Sequence, residues 1–227
     1  KPWIFELRDL WPESINAVNA IKNKKILEIL EFIELFLYHD SSKIIALTDS
    51  FKKNLIIRGI PSNKIEVVKN GVNLELFNER STNIKSDIFK KFEDKFLIAY
   101  IGTHGMTHCL DFIINSIPKL KIKKLHFIFV GDGAMKLKII KLAQQLSIKN
   151  ITFLDPVTKD LVPSYYYSVD AILVCLKKSE TFKSVIPSKI FEACALKRPI
   201  LLGVDGEAKK LIKDYKAGIT FVPENFS

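Results

Sequence analysis

The chain has 227 residues, 48% of them hydrophobic and 26% charged, which is the composition of a folded protein and excludes disordered and collagen-like classes. No stretch approaches the roughly 18 uninterrupted apolar residues of a membrane-spanning helix, because the longest apolar segment, 26–38, contains three glutamates. The net charge is +10, but only four basic residues are arginines, which favour bidentate contacts with phosphates and bases. We therefore expect a soluble or peripheral protein that contacts an anionic membrane face or a phosphate-bearing substrate, with no nucleic acid as partner.

The first 70 residues are expected to contain three strands and two helices. Apolar residues recur at helical spacing from 25 to 38, with glutamates on the opposite side. The sequence Thr48-Asp49-Ser50 can cap a second helix, which Gly59 ends, and the turn Asn70-Gly71 ends the third strand. The expected strands are 3–7, 43–47 and 65–68, and the expected helices are 25–38 and 51–58.

A second series follows a charged linker and crossing helix in 74–95. Its strands are apolar throughout and are separated by helices, which is typical of parallel sheets with both faces covered. The pattern predicts an α/β fold with two Rossmann-like domains, 1–80 and 81–227. We expect the first to be incomplete, because it has few elements and starts inside a strand without an initiator methionine, and the second to lack its final helices. The expected strands are 96–101, 126–130, 151–154, 171–176, 200–202 and 219–222, with helices at 110–120 and up to 146.

Ligands of open α/β sheets bind beyond the carboxyl ends of the strands, where three segments of the second series are candidates. In Gly102-Thr103-His104-Gly105 the glycines allow close approach of a phosphate, and Thr103 and His104 can donate hydrogen bonds, although the favoured interpretation of such a loop taken alone is a tight strand-to-helix turn. The loop matches neither GxGxxG nor a Walker motif, which disfavours a dinucleotide dehydrogenase or an NTPase. Asp155-Pro156-Val157 could form a ledge for a nucleobase.

The third candidate is the segment that starts at Pro187, a residue suited to the first position of a helix. Ser188, Lys189 and Glu192 can share one face, where amides, a hydroxyl and an ammonium suit a diphosphate and a carboxylate suits ribose hydroxyls. A solvated Lys–Glu pair on an ordinary amphipathic helix is the alternative. The opposite face is expected to anchor the helix in the core through Ile190, Phe191, Cys194 and Ala195.

Two further groups are interpreted as core. Tyr165-Tyr166-Tyr167 is expected to lie on a helix that packs on the sheet, in preference to forming a stacking platform. Cys109, Cys175 and Cys194 lie in apolar stretches without CxxC spacing, and we expect reduced core cysteines of a cytoplasmic protein.

Five motifs occur together in the chain: KIEVVKNGVN at 64–73 followed by Phe77, IAYIGTHG at 98–105, FVGDG at 129–133, PSKIFEA at 187–193 and RDLWP at 8–12. Taken together they resemble family 4 glycosyltransferases of the GT-B fold, in the correct order and over nearly the whole chain. The last two motifs resemble a bacterial subgroup that transfers sugars, often N-acetylated amino sugars, in polysaccharide or O-antigen synthesis.

The resemblance implies that Glu192 is the second glutamate of the family's Glu-x7-Glu motif, which holds the donor's ribose. The first glutamate of that motif would fall at Ser184, so the chain departs from the family pattern there, and Glu180 lies nearby at a different spacing. The Gly102 loop has no Arg or Lys of its own, which leaves Lys183 and Lys189 as the best substitutes for the family's basic residues on the diphosphate.

These assignments give a site that is expected to be catalytic at Lys183, Lys189 and Glu180. The expected donor-binding residues are Gly102, Thr103, His104, Gly105, Pro156, Val157, Ser188 and Glu192, and the expected acceptor or cleft residues are Arg8 and Asp9.

The expected function is that of a retaining glycosyltransferase that uses a nucleotide diphosphate sugar, UDP-linked by preference, and a polysaccharide or lipid-linked acceptor. Because no DxD-like or His/Asp ligand cluster is present, no metal and no cofactor are expected. The expected location is cytoplasmic, with the inner face of the membrane as an open alternative. Two other functions stay open, namely a nucleotide-sugar 2-epimerase with His104 as the proton-transfer group and a non-catalytic sugar-nucleotide-binding scaffold in a membrane biosynthetic complex.

Overall fold

The computed structural model describes residues 1–78 and 87–226, residue 87 by its backbone alone. The expected domain boundary between 80 and 81 lies outside the described residues, as does part of the linker and crossing helix expected in 74–95. Within that range the structure shows a short 3-10 helix, Asp87–Phe92. None of the described helices combines the length and hydropathy needed to cross a membrane.

The chain divides into two compact units. Unit 1 comprises Lys1–Asn70, Ser179–Ile186 and Gly206–Ala208. Unit 2 comprises Gly71–Lys178, Pro187–Asp205 and Lys209–Ser227. Each unit has its own parallel sheet, so the expected α/β class is confirmed.

Unit 1 contains a three-stranded parallel sheet in the order β1-β2-β3, covered by helices. The helix expected over 25–38 runs from Lys24 to Asp40 and is therefore longer than expected. Thr48 caps the next helix along the chain by accepting a hydrogen bond from the Phe51 amide at 3.0 Å. Gly59, with a φ of 89°, follows the end of that helix, as the sequence predicts. The elements are β1 (Ile4–Leu7), α1 (Glu13–Ala17), α2 (Lys24–Asp40), β2 (Lys43–Ala46), α3 (Asp49–Ile57) and β3 (Ile65–Val67).

A buried charge cluster fixes α2 against the end of α3. Arg58 lies 2.7 Å from the carboxylate of Glu34, which is almost fully buried, and the Tyr38 hydroxyl donates to that same carboxylate. Burial raises the pKa of Glu34, while the hydrogen bonds from Tyr38 and Arg58 lower it. A buried carboxylate at this position is tolerated because it has both a cation and a hydroxyl as partners.

Unit 2 contains a six-stranded, all-parallel sheet in the order β6-β5-β4-β7-β8-β9, whose centre is formed by β4, β5 and β7. The carboxyl ends of these central strands meet at one edge, which is where the candidate loops lie. The elements are β4 (Phe96–Ile101), α4 (Leu110–Ser116), β5 (Leu125–Val130), α5 (Lys136–Gln145), β6 (Ile151–Leu154), α6 (Val162–Tyr167), β7 (Ala171–Cys175), α7 (Lys189–Ala195), β8 (Ile200–Gly203), α8 (Glu207–Asp214, which begins in unit 1) and β9 (Gly218–Thr220).

Three expectations for unit 2 are corrected. The helix expected over 110–120 ends at Ser116 and continues as a 3-10 turn, because Pro118 has no amide to continue the hydrogen-bond series. Pro187 is not the first residue of α7, since the capping residue is Ser188 and Pro187 precedes it. Cys194 is exposed and only Cys109 and Cys175 are buried, because the core-facing side of α7 is formed by Ile190 and Ala193.

Candidate functional site

Two glycine turns face each other at the carboxyl ends of β4 and β5. The Gly102 amide donates to the Val130 carbonyl at 2.9 Å, and the His104 amide donates to the Asp132 carbonyl at 2.7 Å. Gly131 has a φ of +137°, and a side chain there would collide with the Gly102 carbonyl oxygen. The glycine therefore permits a backbone approach that no other residue allows.

These turns line a pocket of about 290 Å³ within unit 2. The pocket unites two of the three segments expected to bind a donor, since Gly102 and Thr103 lie across it from Pro156 and Val157. The complete set of lining residues is Ile101, Gly102, Thr103, Val130, Gly131, Asp132, Pro156, Val157 and Val162.

The segment that starts at Pro187 reaches the Gly102 turn through the side chain of Lys189. A Cβ added to Gly102 would lie 2.9 Å from both the Cε and the Nζ of Lys189, so this side chain ends against the first glycine turn. Its ammonium lies 5.1 Å from the centroid of the Tyr100 ring, within cation–π range. The Tyr100 hydroxyl donates to the Thr103 carbonyl at 2.7 Å, so one buried ring contacts both the lysine and the loop.

The ammonium of Lys189 lies in a poorly solvated position. Burial lowers the pKa of Lys189, and the carboxylate of Glu192 opposes that shift. Across residues 1–78 and 87–226, no hydrogen bond or ion pair is found for this ammonium beyond its contact with the Tyr100 ring. A cation held there is placed to receive an anion.

Glu192, one turn further along α7, is held by a tyrosine. The hydroxyl of Tyr166 donates to Oε2 of Glu192 at 2.6 Å, and Tyr166 is fully buried. The Phe77 ring packs edge-on against Tyr166 with a centroid distance of 6.0 Å. Burial and the neighbouring carboxylate raise the pKa of Tyr166, so its hydroxyl stays a donor. The carboxylate thus has one fixed oxygen and one available for a ligand.

The ring of His104, which is expected to donate to a ligand, is enclosed in the structure. The residue is fully buried, neither ring nitrogen has a hydrogen-bond partner by ordinary geometry among the described residues, and it is not among the residues that line the pocket. Burial lowers its pKa to about 4, with Lys136 acting in the same direction and Asp132 and the Val130 backbone against it. Gly105, also expected at the site, starts the turn Met106–His108, and its carbonyl accepts the His108 amide.

The remaining expected site residues, Lys183, Glu180, Arg8 and Asp9, belong to unit 1. The Lys183 ammonium pairs with the Glu180 carboxylate at 2.6 Å, and Arg8 pairs with Glu6 at 3.1 Å. Burial raises the pKa of Asp9, which Arg8 partly offsets. The hydroxyl of Ser184, where the family motif has its first glutamate, donates to the Thr181 carbonyl at 2.6 Å.

Within the described parts of the chain, no group of three or more His, Cys, Asp or Glu side chains is arranged to hold a metal ion.

Sequence reasoning missed the two tyrosines that support the site. The sequence pattern indicates that Tyr100 is an ordinary residue of a buried strand and that Tyr166 lies on a helix that packs on the sheet. Neither pattern indicates a role for the tyrosine hydroxyl. A buried tyrosine needs a partner for its hydroxyl, which is the one signal that pointed to further contacts.

A scan against family models matches "Glycosyl transferases group 1" over residues 81–226. The chain is 24% identical over 199 residues to TuaH of Bacillus subtilis, which is named for teichuronic acid biosynthesis as a glycosyltransferase, covering 87% of this chain and 49% of that protein. It is 22% identical over 178 residues to WcaI of Escherichia coli, which is named for colanic acid biosynthesis, covering 77% and 44%. The chain thus spans about half the length of these relatives.

Solved structures match over nearly the whole chain. Anabaena HepE in complex with UDP and glucose has a TM-score of 0.75 and 17% identity, covering 100% of this chain and 59% of that one. WaaG, described as a glycosyltransferase involved in lipopolysaccharide biosynthesis, has a TM-score of 0.75 and 15% identity, covering 96% and 61%. These matches confirm the expected GT-B-type fold.

Proposed function

The chain belongs to the group 1 glycosyl transferases, and from this membership we propose that it supplies the donor-binding part of an enzyme that moves a sugar from a nucleotide diphosphate to a cell-surface polysaccharide or lipid-linked acceptor. The observation that carries the proposal is the position of Lys189. Its ammonium ends beside Gly102, which lines the 290 Å³ pocket, and it makes no hydrogen bond or ion pair among the described residues.

The chemistry follows from where charge develops. When the bond between sugar and diphosphate breaks, negative charge accumulates on the leaving phosphate oxygens, and a preorganised ammonium stabilises that charge in the transition state more than in the ground state. Lys189 is assigned this role, and Glu192 is assigned to bind the ribose hydroxyls. Lys183 and Glu180 are assigned to the reaction through the family resemblance.

The finer points of the proposal concern donor, stereochemistry and acceptor. We propose a UDP-linked donor, with N-acetylated amino sugars among the sugars that it carries, and transfer with retention of configuration and without a metal. Support comes from the relatives named for teichuronic and colanic acid biosynthesis and from HepE, which was solved with UDP and glucose. A protein that acts on such acceptors would work in the cytoplasm at the membrane face.

The test is UDP binding by titration calorimetry with the full-length protein. Lys189→Met is expected to weaken UDP binding by about tenfold to a hundredfold, because a charge-assisted contact to phosphate is lost. Lys138→Met is the matched control, since Lys138 pairs with Asp111 at 3.2 Å on the surface of the same unit. Equal UDP affinity in the Lys189 variant and the unmodified protein would remove Lys189 from the site.

Turnover gives a second measurement. Lys183→Ala and Lys189→Ala are each expected to lower the rate by roughly tenfold to a thousandfold. Product analysis with UDP-sugars and a lipid-linked acceptor should yield a new glycoside. An interconverted donor would identify an epimerase, and no product a binding scaffold, and either result would overturn the proposal.

A further inference from the structure

A second and larger cavity of about 670 Å³ lies within unit 2, between α7 and α8. None of its lining residues lines the 290 Å³ pocket at the glycine turns. Its volume is within the range of small-molecule sites. Most of its lining is apolar, from Ile190, Phe191, Cys194, Pro199, Leu211, Ile212, Tyr215, Ala217 and Gly218.

The polar part of the lining is cationic. Lys197, Arg198 and Lys216 line the cavity, and no carboxylate is found among the lining residues that the structure describes. Lys197 and Lys216 follow the last turns of α7 and α8, and each helix end carries about half a negative charge. Arg198 and Lys216 alone carry two full positive charges against about one negative charge from the two helix ends, so the cavity favours an anion.

Arg198 shows where an anionic head would bind. Its guanidinium lies over the Tyr167 ring at 5.0 Å from the centroid, within cation–π range. Its Nε is enclosed without a hydrogen-bond partner among the described residues, so a ligand in the cavity meets the charge of the group and not this nitrogen. Charge-assisted hydrogen bonds to phosphate are stronger than those between neutral groups, which favours an anionic head at Arg198.

We propose that this cavity binds a lipid-type amphiphile, with an alkyl chain on the apolar lining and a phosphate head at Arg198. Apolar surface and cations in one cavity select for both parts of such a ligand. A free phosphate would leave the apolar lining exposed to water, and a neutral amphiphile would bring no negative charge to Arg198 and Lys216. The proposal does not depend on the proposed function, because it uses neither the glycine turns nor the diphosphate.

The cavity contains its own reporter. Cys194 lines it and is exposed, whereas Cys109 and Cys175 are buried. The rate at which iodoacetamide alkylates Cys194 in the full-length protein, followed by mass spectrometry of the peptide that contains it, therefore measures occupancy. Dodecyl phosphate below its micellar concentration is expected to slow alkylation at least tenfold. Inorganic phosphate and dodecyl maltoside at the same concentration are expected to slow it less than twofold.

Variants identify the head-group contact. Arg198→Gln is expected to raise the half-protecting concentration of dodecyl phosphate about tenfold, and Lys216→Gln, on an exposed residue, provides a second variant if the first folds poorly. Lys138→Gln lies outside the cavity and is expected to have no effect. The proposal is overturned if dodecyl phosphate gives no protection, if dodecyl maltoside protects equally, or if the Lys138 variant loses as much protection as the Arg198 variant.

Discussion

The ammonium of Lys189 lies 5.1 Å from the centroid of the Tyr100 ring, and the hydroxyl of the same tyrosine donates to the Thr103 carbonyl. A strand residue thus positions both a helix cation and a loop backbone. The loop and the helix are far apart in sequence, and Tyr100 is the side chain that contacts both. This arrangement makes the phosphate site preorganised, because neither group must move far to meet a ligand.

Substitutions of Tyr100 separate the contribution of its ring, which contacts Lys189, from that of its hydroxyl, which contacts Thr103. Tyr100→Phe keeps the ring under Lys189 and removes the hydrogen bond to Thr103, so UDP affinity is expected to fall only about threefold. Tyr100→Leu removes both, and since a cation–π contact contributes about 0.5–2 kcal/mol, affinity should fall about tenfold or more. Calorimetric titration with UDP measures both. Equal losses in the two variants would show that the ring does not position Lys189.

Gly102→Ala is expected to disturb the site more than a single methyl group normally does. Gly102 has a φ of +129°, which side-chain-bearing residues rarely adopt, and a Cβ there would lie 2.9 Å from the end of Lys189. The lysine must move away, so UDP binding should weaken at least tenfold. Gly71→Ala is the control, because a Cβ there has nothing within 4 Å. Unchanged UDP binding in the Gly102 variant would contradict the close contact.

Tyr166→Phe should affect recognition of the ribose specifically. Without the hydroxyl, Glu192 loses the hydrogen bond that orients its carboxylate, at a cost of about 1 kcal/mol. The variant is expected to lose affinity for UDP while its affinity for 2′-deoxy-UDP changes little. The dissociation constant of 2′-deoxy-UDP divided by that of UDP should therefore fall several-fold. Tyr165→Phe, on the same helix, serves as control. A constant ratio would remove the Tyr166–Glu192 pair from ribose binding.

Buried histidines predict sensitivity to acid. Burial lowers the pKa of His104 from 6.5 to about 4, so the unfolded chain binds a proton at this residue more readily than the folded one. The stabilisation that comes from neutral His104 is complete above pH 6.5 and decreases as the pH falls towards 4. The total decrease is at most about 3 kcal/mol, and below pH 4 the stabilisation no longer changes. Burial lowers the pKa of His108 to about 4 as well, which adds in the same direction.

Urea unfolding at several pH values measures this dependence. His104→Leu should show a shallower loss of unfolding free energy between pH 6.5 and 4 than the unmodified protein, because one titrating group is removed. His39→Leu, at an exposed position of α2, removes a histidine without altering the buried ones. Parallel pH profiles for the unmodified protein and the His104 variant would rule out this source of acid sensitivity.

The local sequence determines most of the elements. The strand Phe96–Ile101 begins and ends where its apolar run does, because a buried parallel strand is apolar on both faces. The cap at Thr48 and the stop at Gly59 are local as well. The α7 helix shows the limit, since in seven residues the pattern does not decide which side faces the core, and Cys194 proves to be exposed.

Residue types and spacing by themselves thus determined the α/β class, the glycine turns after β4 and β5, and the choice of Lys189 and Glu192 as candidates. Only the tertiary structure decided that Lys189 ends on Gly102 and Tyr100, that Tyr166 holds Glu192, and that the ring of His104 is enclosed. The physical reason is the distance along the chain over which each interaction acts. Strand periodicity and turn chemistry act between neighbours in the chain, whereas these contacts join strands and helices that meet only when the sheet assembles.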